Sequence, residues 1–467
     1  MVAHHADIVI IGGGPGGLHV APKAVAHGFS VIVIEKEAEL GGVCLNAGCI
    51  PSKFLLHGGR LAKERDFQKM LGIPVSDDAP HLESLQAVKD QVVGGFNVFW
   101  RQIFQKLGVK VIHGFGELVT NSSVKVHKAD GDTESVQAHK AVVIASGAQT
   151  FVPKPFALSK NILSSKEALE LTHVPERLII IGGGYIGLEC GSFWRRMGSA
   201  VHVIEAGVRL LPDFDEEVAL TLQKSLEEEG MEFSLNSRAL ACSDKGDRVE
   251  VVMQTAGSDA RTLEADKVLL AIGRVPYTEG LGLEGVGVEK TDKGFIGVDR
   301  STQQTSVEGV YALGDITEGP LLVHRADRES HILIKRLVGS DVFFDRASLP
   351  FVLYTDPQVA KAGLSEEELI KDKVPFVMGK GLFAHNGKAH ILGKSGGFLK
   401  LFAHKGSGHL LGVHIVGSGA EFLIDKGVLA LSMKATLKDI LKIAHAHPSL
   451  SEVYVEAAEM AEYKRFM

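Results

Sequence analysis

Two stretches of this chain carry side chains that could do chemistry at short range. The first is GGVCLNAGCIPSK (41–53), where Cys44 and Cys49 have four residues between them and Lys53 follows. The second is HAHPSLSE (445–452), with His445, His447 and Glu452. Two thiols that close can be inert packing residues, metal ligands or a redox pair. Four intervening residues can close a disulfide if the turn brings the Cα atoms to about 5–6 Å. The IPSKFLLHGGRLAKE that follows Cys49 reads as a helix, so the cysteines fall at or near its start, where a thiol becomes more acidic and more reactive. A zinc site usually shows paired ligand clusters, and here only His57 lies nearby in sequence. A histidine oriented by a carboxylate is a general acid–base suited to neutral pH, and thiol–disulfide chemistry needs such a proton shuttle. The same stretch has a plainer reading: Ser449-Leu450-Ser451-Glu452 fits a capping box, with Glu452 closing the start of the next helix. Cys190 and Cys242 have no comparable surroundings and read as ordinary core or surface thiols.

These residues need elements to hold them, and the sequence shows the most conspicuous ones twice. DIVIIGGGPGGLHVAPKAVAHGFSVIVIEK (7–36) matches RLIIIGGGYIGLECGSFWRRMGSAVHVIEA (177–206). Each reads strand, glycine turn, helix, strand, acid. Gly12, Gly14 and Gly17 correspond to Gly182, Gly184 and Gly187, and Glu35 and Glu205 each fall 23 residues after the first glycine. The first glycine permits the tight turn. The second lets a pyrophosphate approach the backbone, and the third lets helix and strand pack closely. The helix N-terminus offers unpaired N–H groups to phosphate, and the acid accepts hydrogen bonds from a ribose. Two such units imply two dinucleotides. A carboxylate at Glu205 repels a 2′-phosphate, so NAD(H) is favoured at the second site, although Arg209 is close in sequence. Two dinucleotides beside a thiol pair suggest electrons moving through sulfur, with a flavin as intermediary between thiols and nicotinamide. Pro22 falls inside the first predicted helix, where it should kink it.

Composition narrows the field. The chain has 467 residues, 45% hydrophobic and 23% charged, with a net charge of −7. That supports large cores and two to four domains, without the basic excess of a nucleic-acid binder. The most apolar runs are short and broken by glycine, as in buried parallel strands rather than membrane spans. Four cysteines do not make a disulfide scaffold, so a reducing compartment is expected: cytoplasm, or the mitochondrial matrix if a presequence has been removed. A second echo, AVVIASGAQTFVP (141–153) and KVLLAIGRVPYTE (267–279), reads as the chain leaving one domain and returning to it. The expected layout is a first domain at 1–149, an inserted one at 150–270, a return at 271–345 that contains GVYALGDI, and an α+β domain at 346–467.

Taken in order and spacing, GGVCLNAGCIPSK, the paired glycine units, GVYALGDI and HAHPSLSE resemble the flavoprotein disulfide reductases, the class I pyridine nucleotide-disulfide oxidoreductases, over essentially the whole chain. The resemblance implies an α/β fold with two Rossmann-like domains, one inserted in the other, plus a C-terminal α+β dimerisation domain. It implies FAD in 1–149 and 271–345, NAD in 150–270, and a homodimer formed through 346–467. Gly12, Gly14, Gly17, Glu35 and Gly116 would hold the ADP half of FAD. Asp315 would meet the ribitol, the backbone near Val323 the flavin ring, and Lys53, paired with Glu189, the flavin N5. Gly182, Gly184, Gly187, Glu205 and Gly273 would serve the nucleotide sites. Cys44 would be the interchange thiol and Cys49 the thiol against the flavin. His447 from the partner subunit, oriented by Glu452, would take the dithiol proton.

Within the family, the IPSK stretch, Glu205 and a C-terminus without cysteine are similar to the branch that oxidises dihydrolipoamide with NAD+. The partners then implied are lipoyl domains of 2-oxo acid dehydrogenase acyltransferases or of glycine-cleavage systems, and neither nucleic acid nor membrane. A reductase of the same family that uses NADH on another small disulfide or electron acceptor is the alternative.

Overall fold

The computed structural model describes residues 3–76, 81–340 and 348–467. The expected domain boundary at 345/346 lies outside the described residues. The chain divides into two compact units, one from 1–52, 87–151 and 273–344, the other from 53–86, 152–272 and 345–467.

The first unit is built on a seven-stranded sheet. Its parallel part runs Lys110–His113, Val31–Glu35, Ala3–Ile11, Thr133–Ile144 and Val310–Ala312. An antiparallel meander, Phe115–Leu118 and Ser123–His127, continues from Thr133–Ile144. All five residues of VIVIE are buried, as expected for a strand covered on both faces. The period-2 alternation of strands divides the apolar residues between two cores. Ile8 and Ile10 pack with Leu18, Phe104 and Leu333, whereas Val9 and Ile11 pack with Val124, Val136 and Ile296. Pro15 opens the first helix, Pro15–Ala26, at the position where its missing N–H costs nothing. The helix continues through Pro22 to Ala26, and Lys23 Nζ, one residue on, donates to Asp327 at 2.7 Å. The two echo segments pair with each other: Ala148–Thr150 lies antiparallel to Arg274–Pro276.

The second unit contains a parallel sheet in the order Glu232–Ser234, Ala200–Ile204, Arg177–Ile181, Lys267–Leu270, Ile162–Leu163. An antiparallel three-stranded sheet, Ser237–Asp244, Val249–Thr255 and Arg261–Ala265, adjoins it in sequence. The C-terminal part is a five-stranded antiparallel sheet, Phe351–Leu353, Gln358–Gly363, Leu410–Gly417, Phe398–His404 and Phe376–Leu382, packed with the helices Ala420–Ser432 and Val453–Arg465 through one core. The nucleotide-type sheet and the C-terminal sheet keep separate pairing but share a core cluster. It runs from Phe193 and Trp194 through Leu55 and Leu56 to Leu353, Val359 and Phe398. No described helix is long and apolar enough to cross a membrane.

Candidate active site

The two glycine turns are near copies. Gly12 has φ +110° and Gly182 φ +109°, backbone that side chains rarely adopt. A Cβ at Gly12 would stand 2.4 Å from Ala145 O, and one at Gly182 2.5 Å from Ala271 O. The third glycines close the same turns: a Cβ on Gly17 would lie 2.1 Å from Gly12 O, and one on Gly187 2.2 Å from Gly182 O. The middle glycines differ in kind. Gly14 and Gly184 are extended N-cap residues. An added Cβ would meet only Gly42 Cα, at 3.6 Å, in the first case and nothing within 4 Å in the second. The bare helix starts are therefore open where a phosphate would approach, so both turns fit a dinucleotide pyrophosphate.

The acids hold the turns as well as closing the sites. Glu35, buried, accepts the Gly13 N–H at 2.7 Å and the Glu37 N–H at 2.8 Å. Glu205 accepts the Gly183 and Gly207 N–H groups, both at 2.6 Å. Each carboxylate retains lone pairs for ribose hydroxyls. Arg209 is engaged elsewhere: it donates to Glu367 Oε1 at 2.9 Å and to the Pro212 and Phe214 carbonyls. Its donors are thereby engaged by neighbouring protein groups.

In the first unit, Gly116 packs tightly on the strand ends, its Cβ position 3.2 Å from Ile11 and 3.3 Å from Ile34. Asp315 sits in a short 3-10 turn, Gly314–Ile316. Burial pushes its carboxyl up, against the pull of Arg325 and Arg274. Val323 begins the helix Val323–Leu337, so its N–H is among the groups that lack an intrahelical partner. Gly273, at φ +132°, lies in open space and accepts the Phe151 N–H at 3.0 Å. Sequence reasoning missed what holds Asp315. Arg325, fully buried, donates to Gly314 O at 2.7 Å, Glu318 O at 3.1 Å and Thr317 O at 3.3 Å. Glu329 accepts the Gly314 N–H at 2.8 Å and pairs with Arg325 at 3.7 Å. The signal was present as an Arg and a Glu four apart in HRADRES, a spacing that puts both on one helix face.

The cysteines take their places from two short helical pieces. Cys44 lies in Gly42–Ala47 and Cys49 is the first residue of Cys49–Lys63. Gly48 joins them with its Cβ position 2.9 Å from Val43 O and 3.4 Å from Cys44 Cα. A side chain there would push the second helix start off the first, so glycine lets the two cysteines come close. Both are half-buried. Cys190 is different, because burial first and Glu189 second push its thiol up to about 12. Burial does the same to Cys242. Neither competes as a thiolate.

Lys53 lies one turn further along the helix from Cys49. Its Nζ meets Glu189 Oε2 at 2.6 Å. Glu189 is only 4% exposed, against 31% for Lys53, and its other oxygen accepts the Tyr354 N–H at 3.0 Å. The Tyr354 ring lies 5.0 Å below the ammonium. The lysine is therefore positioned by an anchored carboxylate and an aromatic face, and Tyr354 was not foreseen from the sequence.

His447 Nδ1 lies 2.9 Å from Glu452 Oε1, while Glu452 Oε2 accepts the Ser449 N–H at 2.9 Å. Capping and orienting thus coexist in one carboxylate. Those two hydrogen bonds, the backbone one first, hold Glu452 below the usual carboxylate range. His447 is 79% exposed, with Nε2 left to exchange a proton. His445 is used differently: its Nδ1 faces Ile443 O at 2.9 Å and its Nε2 meets Lys426 Nζ.

Residues 6–330 match the family described as pyridine nucleotide-disulphide oxidoreductase, and residues 349–458 match its dimerisation domain. The chain is 40% identical over 462 residues to dihydrolipoyl dehydrogenase 2, mitochondrial, of Arabidopsis thaliana, covering 98% of this chain and 90% of the relative. It is also 40% identical over 456 residues to dihydrolipoyl dehydrogenase 3 of Pseudomonas putida, covering 97% of each. The solved structure of LpdA from Mycobacterium tuberculosis has a TM-score of 0.89 at 28% identity, over 100% of both chains.

Proposed function

The chain belongs to the pyridine nucleotide-disulphide oxidoreductases, and on that premise we propose that it acts as a dihydrolipoyl dehydrogenase. It oxidises dihydrolipoamide through Cys44 and Cys49 and delivers the electrons, by way of FAD, to NAD+. The observation that carries the reading is a cysteine pair and a His447–Glu452 dyad in a chain related over 98% of its length to dihydrolipoyl dehydrogenases. FAD, when bound, would supply what thiols alone cannot, a carrier able to link electron pairs on sulfur to hydride on nicotinamide.

The chain's own residues do the rest. Gly12, Gly14, Gly17, Glu35 and Gly116 hold the ADP half of the flavin nucleotide, and Asp315, fixed by Arg325 and Glu329, holds its ribitol. Gly182, Gly184, Gly187 and Glu205 hold NAD(H), with Gly273 beside the returning chain. Cys44 exchanges with the substrate dithiol and Cys49 faces the flavin. Lys53, steadied by Glu189 and Tyr354, would place positive charge beside the flavin ring. His447 accepts the substrate thiol proton at Nε2 while Glu452 stabilises the imidazolium through Nδ1. Because Glu452 titrates below the ordinary range, it is ionised whenever the enzyme works. The enzyme is a homodimer through its C-terminal domain, and His447 serves the site of the partner subunit. Its dihydrolipoamide is carried on lipoyl domains.

The test is the visible spectrum of the purified protein during titration with dihydrolipoamide. A yellow protein that develops a long-wavelength charge-transfer band on two-electron reduction, and loses it in Cys49→Ser, supports the reading. Full dihydrolipoamide:NAD+ activity in Cys49→Ser would overturn it. Faster turnover of oxidised glutathione or mercuric ion would reassign the substrate.

A further inference from the structure

The terminal helix carries a second pair built like the catalytic one. His385 Nδ1 lies 2.7 Å from Glu456 Oε1, and Glu456 Oε2 accepts the Leu382 N–H at 3.0 Å. This repeats the arrangement of His447, Glu452 and the Ser449 N–H. In both pairs one carboxylate oxygen is fixed by the main chain and the other faces an imidazole Nδ1. That leaves Nε2 as the exchanging nitrogen. Within one subunit taken alone, His385 is 63% and His447 79% exposed. Glu452 and Glu456 are one helical turn apart, which puts their Cβ atoms about 5–6 Å from each other. The two loops are also tied: Asn386, next to His385, donates to Ser449 O at 2.9 Å while its Oδ1 accepts the Ala389 N–H at 3.0 Å. The neighbouring His390 is not a third member, since its Nε2 is engaged by the Ala384 carbonyl at 2.8 Å.

The reaction leaves a proton to discharge. Oxidising a dithiol to a disulfide releases two electrons and two protons. NAD+ takes both electrons and one proton as hydride, and the second proton falls to His447. We propose that His385 and Glu456 form the next station for that proton, receiving it from His447 and releasing it to solvent or buffer. His447 is thereby returned to its basic form for the next dithiol. The inference rests on the dihydrolipoamide reading. His385 touches neither substrate nor cofactor in this scheme and acts only through His447.

The test compares wild type, His385→Ala and Glu456→Gln in dihydrolipoamide:NAD+ turnover at low and high buffer concentration. At low buffer, kcat falls by about tenfold in His385→Ala, less than the 10²–10⁴-fold carried by direct general acid–base catalysis. Millimolar imidazole restores it, and thermal unfolding is unchanged. Glu456→Gln gives a smaller loss with the same rescue. A wild type without dihydrolipoamide activity refutes the functional reading itself. An active wild type whose variants match it in every buffer, or whose loss imidazole does not repair, overturns the relay alone.

Discussion

The two glycine motifs allow folding and binding to be separated at one residue. Gly184→Ala adds a methyl group where no atom lies within 4 Å, at a backbone conformation (φ −82°, ψ 179°) open to any residue. Losing glycine at an N-cap costs a few tenths of a kcal/mol to about 1, and the stiffer unfolded chain returns about 0.4–1. The variant should therefore melt within a few degrees of wild type. On the proposed reading, the methyl group stands where the pyrophosphate would come within hydrogen-bond distance of the helix N–H groups. Losing one charge-assisted hydrogen bond there costs about 1.5–3 kcal/mol, or about 10- to 150-fold in affinity. The contrast is Gly187→Ala, whose Cβ would lie 2.2 Å from Gly182 O. Overpacking of that kind costs about 1–3 kcal/mol or more and lowers the melting temperature by several degrees. The assay is thermal unfolding together with KM for NAD+ and the dissociation constant for NADH. Unchanged NADH affinity in Gly184→Ala would refute the assignment of this turn to the pyrophosphate. A melting loss as large as that of Gly187→Ala would refute the claim of open space.

Alkylation of the dithionite- or NADH-reduced enzyme with iodoacetamide should modify Cys44 first, and mass spectrometry should find Cys190 and Cys242 unmodified, because burial pushes both of those thiols up to about 12. Early labelling of Cys190 would contradict this. Burial also lowers the ammonium of Lys426 from 10.5 to about 8. The folded chain holds this charge less well than the unfolded chain, so folding is penalised in full below about pH 8 and the penalty fades as pH rises toward 10.5. Lys426 is half-buried, and after discounting for solvent screening the penalty is about 1 kcal/mol. Lys426→Met should raise the melting temperature at pH 7 by about 1–2 °C and lose that gain above about pH 10. A gain that persisted at high pH would show packing, not charge, to be the cause.

Much of this protein could be read along the chain because its determinants are local. A glycine turn, a helix start and an acid at the end of the next strand occupy 24 consecutive residues, 12–35 and 182–205. Backbone sterics and the unpaired N–H groups of a helix dictate which residue types serve at each step. The same holds for the cysteine pair at a helix start and for Ser449 and Glu452 at another. Tertiary structure decided what depends on partners far apart in sequence. Arg209 could have been a phosphate ligand until Glu367, 158 residues away, engaged it. The turn that carries Asp315, the proposed ribitol ligand, is held by the buried Arg325 through the carbonyls of Gly314, Thr317 and Glu318. Glu452 read in sequence as a cap, as the partner of a histidine, or as both at once, and the fold gives it both contacts because a carboxylate has two oxygens facing different ways. The His385–Glu456 pair spans 71 residues and carries no motif. It exists because the turn after a sheet strand meets the terminal helix one turn beyond the dyad that the sequence does announce.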